Sequence, residues 1–405
     1  MTSLIGIIAL PLIALAFSSN WRAVRIRTVG LAFSLQAMIG GIALFTDWGY
    51  AALKTASEYV GVLLGYSQKG ISFMFGGLVG SDSIGFVFAF NVLPVVIFFS
   101  SLIAVLYHIG VMQWVVRIMG GALRRLLRTS HTESLSAAAN VFVGQAEAPL
   151  VAQPYIAGMT TSELFAIMVG GMASIAGSVM AGYVALGIPL EYLLAASFMA
   201  APGGLLMAKL LEPETHRPVE PEADDSVSAE GYVNVVDAAA TGAMNGMQMA
   251  AAIAAMLIAF IALIAMINGI FGWVGGLFGF ADLTLEGMLG TLFQPLAFIL
   301  GVPWEEADLA GSLIGQKLVL NEFVAYVAYM DIADSFSPTA QAVVIFALCG
   351  FANLSSIAIL LGGLGAVAPM RRDEISRFGF RALLAATLSN LMSAALAGFF
   401  VSLAA

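Results

Sequence analysis

The chain has 405 residues, 60% hydrophobic and only 10% charged, with a mean hydropathy of +0.96 and a formal net charge of −9. Soluble domains carry about 25% charged residues, so the composition excludes a soluble globular protein, and the single cysteine, Cys349, excludes a disulfide framework. Much of the negative charge lies in one segment and says little about partners, and nothing supports nucleic-acid binding.

Apolar runs of roughly 17–25 residues are long enough to cross a bilayer. They recur at about 2–19, 28–46, 84–107, 160–186, 189–211, 245–272, 337–367 and 380–404. The first has the length of a signal peptide, but no basic stretch precedes it. Only "SSNWRAVR" follows, without a small-residue cleavage site, so it reads as a retained span. The segment carrying Lys54 and Lys69 reads as a loop, as do the Gly-rich stretches "GGLVGSDSIG" and "LFGFADLTLEG". In "GVMQWVVRIMGGALRRLLRTSH" basic residues interleave with Val, Leu, Ile and Met. That pattern fits an amphipathic helix along the membrane surface or a snorkelling end of the third span. "EPETHRPVEPEADD", residues 212–225, holds six acids and one arginine and reads as a solvated linker.

Thirteen of the sixteen Lys and Arg fall in four places: Arg22, Arg25, Arg27; Arg117, Arg124, Arg125, Arg128; Lys209, Arg217; and Arg371, Arg372, Arg377, Arg381. The positive-inside rule puts all four in the cytoplasm and both termini outside. Eight full crossings satisfy this arrangement. Residues 130–158 and 284–331 are then apolar segments that must leave the membrane on the side they entered. They read as re-entrant hairpins, the first entering from the cytoplasm and the second from outside.

The two hairpins resemble each other. One contains "GQAEAPLVA" and is followed by a span with "GGMASIAGS"; the other contains "GQKLVLNEFVAY" and is followed by "CGFANLSSI". Each half has Gly-Gln, then a glutamate (Glu147, Glu322), then a polar residue (Ser174, Asn353) about thirty residues on. Opposed entry makes the repeat inverted, and such repeats with interrupted helices at mid-membrane mark secondary transporters. A carboxylate at that depth costs roughly 2.5–3.5 kcal/mol on insertion scales, so Glu147 and Glu322 are functional candidates; a structural hydrogen bond between hairpin and span is the alternative. Lys317 reads as a neutralising partner of Glu322 or of another buried acid. Gln145 has both donor and acceptor edges. Asn140 and Ser174, short and oxygen-bearing beside irregular backbone, suit a dehydrated Na+ or equally a bond back to their own helix. His108, His131 and His216 lack companions at metal-ligand spacing, and no phosphate-binding loop supports an ATP-driven pump.

"VFVGQAEAPL", "GVPWEEADLAGSLIGQKLVLNEFVAY" and "CGFANLSSI", with "FVFAFNVLP" and "VLYHIGVMQWVV", resemble the signature segments of the concentrative nucleoside transporters in their short bacterial form. The resemblance runs from about residue 83 to near the end. It implies an all-α polytopic membrane protein of the bacterial inner membrane, elevator-type, assembled as a homotrimer in lipid. Residues 1–112 would be scaffold helices and 113–212 the first repeat of a moving transport domain. Residues 213–240 would form the acidic cytoplasmic loop, 241–275 scaffold span six, and 276–405 the second repeat. It implies that Gln145 and Glu147 address a nucleobase and that Glu322, Asn353 and Ser356 hold ribose hydroxyls. Phe351 and Val179 would contact the base, and Asn140, Ser174 and the carbonyls of Val143 and Ile175 would take the coupling Na+. The family usually has Thr or Ser where this chain has Ala146, which puts the base preference in doubt. The expected function is sodium-coupled nucleoside import, with proton coupling through a buried glutamate as the alternative. An intramembrane enzyme using the two glutamates lacks a nucleophile, and a channel lacks a continuous polar face.

Overall fold

The computed structural model describes residues 2–79, 85–145, 148, 153–218, 232–279 and 282–404. Every regular element among them is helical. The chain opens with α1 (Ser3–Ala16), α2 (Ile26–Phe45) and α3 (Asp47–Phe75). A short helix, α4 (Phe88–Asn91), then runs almost directly into α5 (Leu93–His108). The segment bearing Lys54 and Lys69 is therefore not a loop but the 29-residue helix α3. No proline interrupts it, and Thr46 Oγ1 caps it by accepting from Gly49 N at 3.2 Å. Only Gly49, Ser67 and Ile71 are buried in it, so its charges sit on exposed turns and hide it from a hydropathy window.

α5 stops because Gly110 adopts φ 84, and a separate helix, α6 (Val111–Leu127), begins there. Met112, Val116, Gly120, Leu123 and Leu127 form its buried stripe while Arg117, Arg124 and Arg125 are exposed. That settles the ambiguity of this stretch: it is an amphipathic helix of its own, not the end of the preceding span. The next helix, α7 (His131–Ala139), starts at a capping box in which Ser130 and Glu133 satisfy each other's backbone N–H. A second box, Thr160 with Glu163, starts α8 (Thr161–Ala173). Then come α9 (Gly177–Leu186), α10 (Leu190–Leu211), α11 (Val235–Leu277) and α12 (Leu285–Leu300). The chain continues through α13 (Ala307–Val319), α14 (Glu322–Ile332), α15 (Pro338–Leu348), α16 (Leu354–Val367) and α17 (Arg372–Ala404).

Each apolar run read from the sequence is, among the described residues, mostly helical, with 160–186 and 337–367 each interrupted once. Among the described residues, six stretches are long and apolar enough to cross a membrane: α2, α4–α5, α8–α9, α10, α11 and α17. α1, with 14 residues, and the separate halves α15 and α16 fall short individually. Burial divides the molecule into two layers. α8–α9 and α10 are 89% buried across their apolar windows, whereas α11 is 22% buried across its own. α17 passes through the middle, packing on α1, α2, α8, α10, α15 and α16, and α11 lies outside against α5.

The basic clusters gather at one end. Arg25, Arg128 and Lys209 surround a small cavity with Glu133 and Glu214. Lys209 Nζ pairs with Glu133 at 2.6 Å, Arg381 with Glu212 at 2.9 Å, and Arg371 donates to the carbonyls of Ile156 and Met159. Such a concentration of Lys and Arg at one end of an apolar bundle is what the positive-inside rule demands of a membrane protein.

Candidate functional site

Four interruptions in helix converge around one cavity. α8 stops at Ala173, and Ser174 is extended (φ −103, ψ 175) before α9 resumes at Gly177. α15 stops at Leu348, and α16 resumes after Asn353. α7 ends at Ala139 and the chain turns through Asn140–Val143, while α13 ends at Val319 and Asn321 caps α14, its Oδ1 accepting from Val324 N at 2.9 Å. Cross-bonds tie the breaks together: Gly177 N donates to the Phe142 carbonyl at 2.8 Å and Phe351 N to the Ser174 carbonyl at 3.1 Å. Gly350 (φ 157) sits where they cross, and a Cβ there would lie 2.7 Å from the Ala173 carbonyl oxygen.

The breaks open a cavity of about 190 Å³. Gln145, Val179, Glu322, Phe351, Asn353 and Ser356 all line it, so six of the seven residues expected to meet substrate come together; Glu147 lies outside the described residues. Glu322, 4% exposed, is the first residue of α14. Its Oε1 accepts from Tyr183 Oη at 3.0 Å and its Oε2 from Asn353 Nδ2 at 3.0 Å. A carboxylate offers about four lone-pair positions, so each oxygen keeps room for a further donor. Gln145 Nε2 donates to Ser356 Oγ at 3.1 Å, bridging the segment after α7 to α16, while its buried Oε1 has no hydrogen-bond partner among the described residues. Ser356 Oγ in turn donates to the Phe351 carbonyl. The polar groups thus occupy one side of the cavity, and α11 supplies an apolar wall of Met249, Ala252, Ile253 and Met256.

Beside the cavity, Asn140 is 2% exposed, and neither Oδ1 nor Nδ2 has a hydrogen-bond partner among the described residues. Its amide lies against Gly170, one turn before Ser174, whose Oγ donates to the Gly171 carbonyl at 3.4 Å. Val143 and Ile175 are buried, and no backbone donor among the described residues reaches either carbonyl. Unpaired buried oxygens beside irregular backbone fit a small dehydrated cation.

Two residues at this centre are absent from the sequence reading. Tyr183 stands four residues after Val179, on the same face of α9, a spacing that could have revealed it. Asn390 is a lone amide in the apolar run of α17 and holds Lys317: the ammonium donates to Asn390 Oδ1 at 2.7 Å and to the Ala347 carbonyl at 2.8 Å. Lys317 makes no direct salt bridge among the described residues, its hydrogen bonds going to the Ala347 carbonyl and Asn390 Oδ1. Its charge still acts on the Glu322 carboxylate through space, in keeping with the expectation of a neutralising partner.

Three successive family models cover the chain. Residues 5–78 match the Na+ dependent nucleoside transporter N-terminus, 89–190 the nucleoside recognition (Gate) model, and 192–398 the Na+ dependent nucleoside transporter C-terminus. The nucleoside permease NupC of Helicobacter pylori is 48% identical, with 99% of this chain and 98% of that protein aligned. Sodium/nucleoside cotransporter 1 of Homo sapiens is 38% identical over 98% of this chain and 63% of its own length. Among solved structures, CNTnw in an inward-facing substrate-bound state superposes with a TM-score of 0.96 at 54% identity, covering 100% of this chain and 98% of that one. A CNTnw variant in an outward-facing state gives 0.95 at 53% identity, with the same coverage. The chain belongs to the concentrative nucleoside transporter family and is a multi-pass membrane transporter, not an enzyme.

Proposed function

We propose that the chain is a sodium-coupled symporter that imports nucleosides across the bacterial inner membrane by an elevator form of alternating access. The observation that carries this reading is the pairing of a half-occupied buried carboxylate, Glu322, with an unpaired buried amide, Asn140, at the same four interruptions. Ribose hydroxyls donate to the free positions of Glu322 in charge-assisted hydrogen bonds, with Asn353 and Ser356 beside them. Gln145 Oε1, together with Glu147, addresses the base edge, and Phe351 and Val179 pack on the base. Asn140 Oδ1, Ser174 Oγ and the carbonyls of Val143 and Ile175 are the groups that would hold Na+. When bound, the ion supplies the charge on which those oxygens converge. Fixing residues 140–145 sets Gln145 against Ser356, so the base-side contacts depend on the same segment as the ion site.

The proposed topology has eight crossings, with both termini outside: α1, α2, α4–α5, α8–α9, α10, α11, α15–α16 and α17. α6 lies along the inner surface. The two opposed hairpins take in α7 with the described residues 148 and 153–158 on one side and α13–α14 on the other, the second narrower than the span 284–331 because α12 is assigned as the helix before it. The order helix, hairpin, broken helix, long helix occurs twice, from α6 to α10 and from α12 to α17, which supports an inverted repeat. We assign residues 1–112 and 241–275 to the scaffold, 113–212 and 276–405 to the transport domain, and 213–240 to the acidic loop between them, with three copies of the chain in the assembly. The apolar α11 wall suits sliding, because moving past it breaks no strong polar bond.

The test is radiolabelled uridine and adenosine uptake into proteoliposomes under an inward Na+ gradient, with choline substituted, and under an inward pH gradient. Uptake that needs sodium supports the reading. Uptake that follows pH in choline would make a glutamate the proton carrier and refute the sodium site.

A further inference from the structure

One buried charge stands behind the cavity without lining it, acting on Glu322 only through space. Lys317 is 3% exposed and lies in the last turn of α13, just before the break at Leu320. Its ammonium donates to the Ala347 carbonyl and to Asn390 Oδ1, and Asn390, 2% exposed, carries the connection further. Asn390 Nδ2 donates to the Ala173 carbonyl at 2.6 Å and the Cys349 carbonyl at 3.1 Å. Ala173 ends α8, and Ala347 and Cys349 flank the last residue of α15. The acceptors are thus orphan carbonyls at the negative dipole ends of both interrupted helices. In a dry interior such ends need either a donor or a cation.

We propose that Lys317 is a positioning residue for nucleoside recognition, a tethered cation at the second interrupted helix where the first is built for an exchangeable sodium ion; this rests on the sodium site proposed above. Ammonium and Na+ meet the same demand, positive charge at converging carbonyl dipoles without water. At Asn140 the demand is met from solution, and at Ala347 it is met by the chain. The tip of α13–α14, with Asn321 and Glu322, therefore stays assembled in both ion states. Residues 140–145 alone respond to sodium. Ribose recognition through Glu322 is set by Lys317, and coupling is set by Asn140.

The experiment uses full-length protein in nanodiscs. Uridine and 2′,3′-dideoxyuridine affinities are measured by calorimetry in saturating sodium, and sodium affinity is measured from the thermal shift without nucleoside. Lys317→Gln is expected to lower the uridine-to-dideoxyuridine preference by at least about tenfold, because the hydroxyl-binding groups lose their registration. Its sodium half-saturation should stay within about threefold of the parent, since the Asn140 segment is untouched. Lys317→Arg keeps the charge and retains most of the preference. Asn390→Asp leaves the ammonium in place but removes the donors to Ala173 and Cys349, and should lose the preference too; it serves as the readout if Lys317→Gln does not fold. A folded Lys317→Gln or Asn390→Asp protein with the parental preference overturns the proposal, as does a sodium response lost in step with it. A parent protein with no sodium-dependent thermal shift would instead refute the sodium site, and the preference ratio would still judge Lys317.

Discussion

Replacing Glu322 with glutamine keeps the side chain's shape while changing what it can accept. In the parent each carboxylate oxygen already holds one donor, from Tyr183 and from Asn353, both at 3.0 Å. The glutamine carbonyl can keep one of these, and its NH2 then faces the other donor. No charged acceptor remains for two ribose hydroxyls. Hydrogen bonds to a charged group contribute about 1.5–3 kcal/mol each and neutral ones about 0.5–1.5. Losing two charged bonds and recovering at most one neutral bond removes about 3–4 kcal/mol of binding, or roughly 100- to 1000-fold in Kd. Stability should move the other way or not at all, because the variant no longer desolvates a charge. The assay pairs uridine calorimetry with a melting curve on the same preparation. Uridine affinity within threefold of the parent would refute the role of Glu322, and a large loss of melting temperature would make it a structural residue instead.

The remaining predictions concern the ion site and the scaffold of the breaks. Asn140→Leu should abolish the sodium dependence of uridine binding while leaving the sodium-free protein as stable or more so, since two buried polar atoms without partners are removed; sodium titration of uridine Kd with a parallel melt checks both. Gly350→Ala forces a Cβ against the Ala173 carbonyl and should cost about 1–3 kcal/mol, read as a lower melting temperature in the presence and absence of substrate. Lys209→Met leaves Glu133, 3% exposed, without its cation and should destabilise by about 3–5 kcal/mol at neutral pH, seen in detergent unfolding.

The sequence made the apolar helices and the two broken segments legible because both are written in strong local chemistry, long apolar runs in one case and Gly, Pro and lone polar residues in the other. α3 escaped because a largely exposed helix needs neither high hydropathy nor a narrow buried stripe. The motif pairing of Ser174 with Asn353 is looser than it reads. Ser174 caps the C-terminal end of a half-helix and Asn353 the N-terminal end of another, so local similarity slipped by most of a turn. Lys317 shows the limit most clearly. Charge arithmetic sent it towards an acid, and only the three-dimensional path of α15 and α17 reveals that its hydrogen-bond partners are a main-chain carbonyl and the Asn390 side chain, 30 and 73 residues away. Tyr183 was within reach, since its spacing from Val179 is local; Asn390 was not, since its partners lie 41 and 217 residues away.

α11 gives the proposed motion a scale. Its 43 residues make a rod about 65 Å long at 1.5 Å per residue, roughly twice the hydrocarbon thickness. The cavity touches it at Met249–Met256, about 20–30 Å from the end that follows the acidic segment. Beyond Met256 a further 21 residues of unbroken helix continue to Leu277, about 30 Å of apolar track. In the proposed motion, a cavity riding on the α8–α10 and α15–α17 unit would travel most of the bilayer's depth without leaving that wall, and the length of one helix would set its stroke.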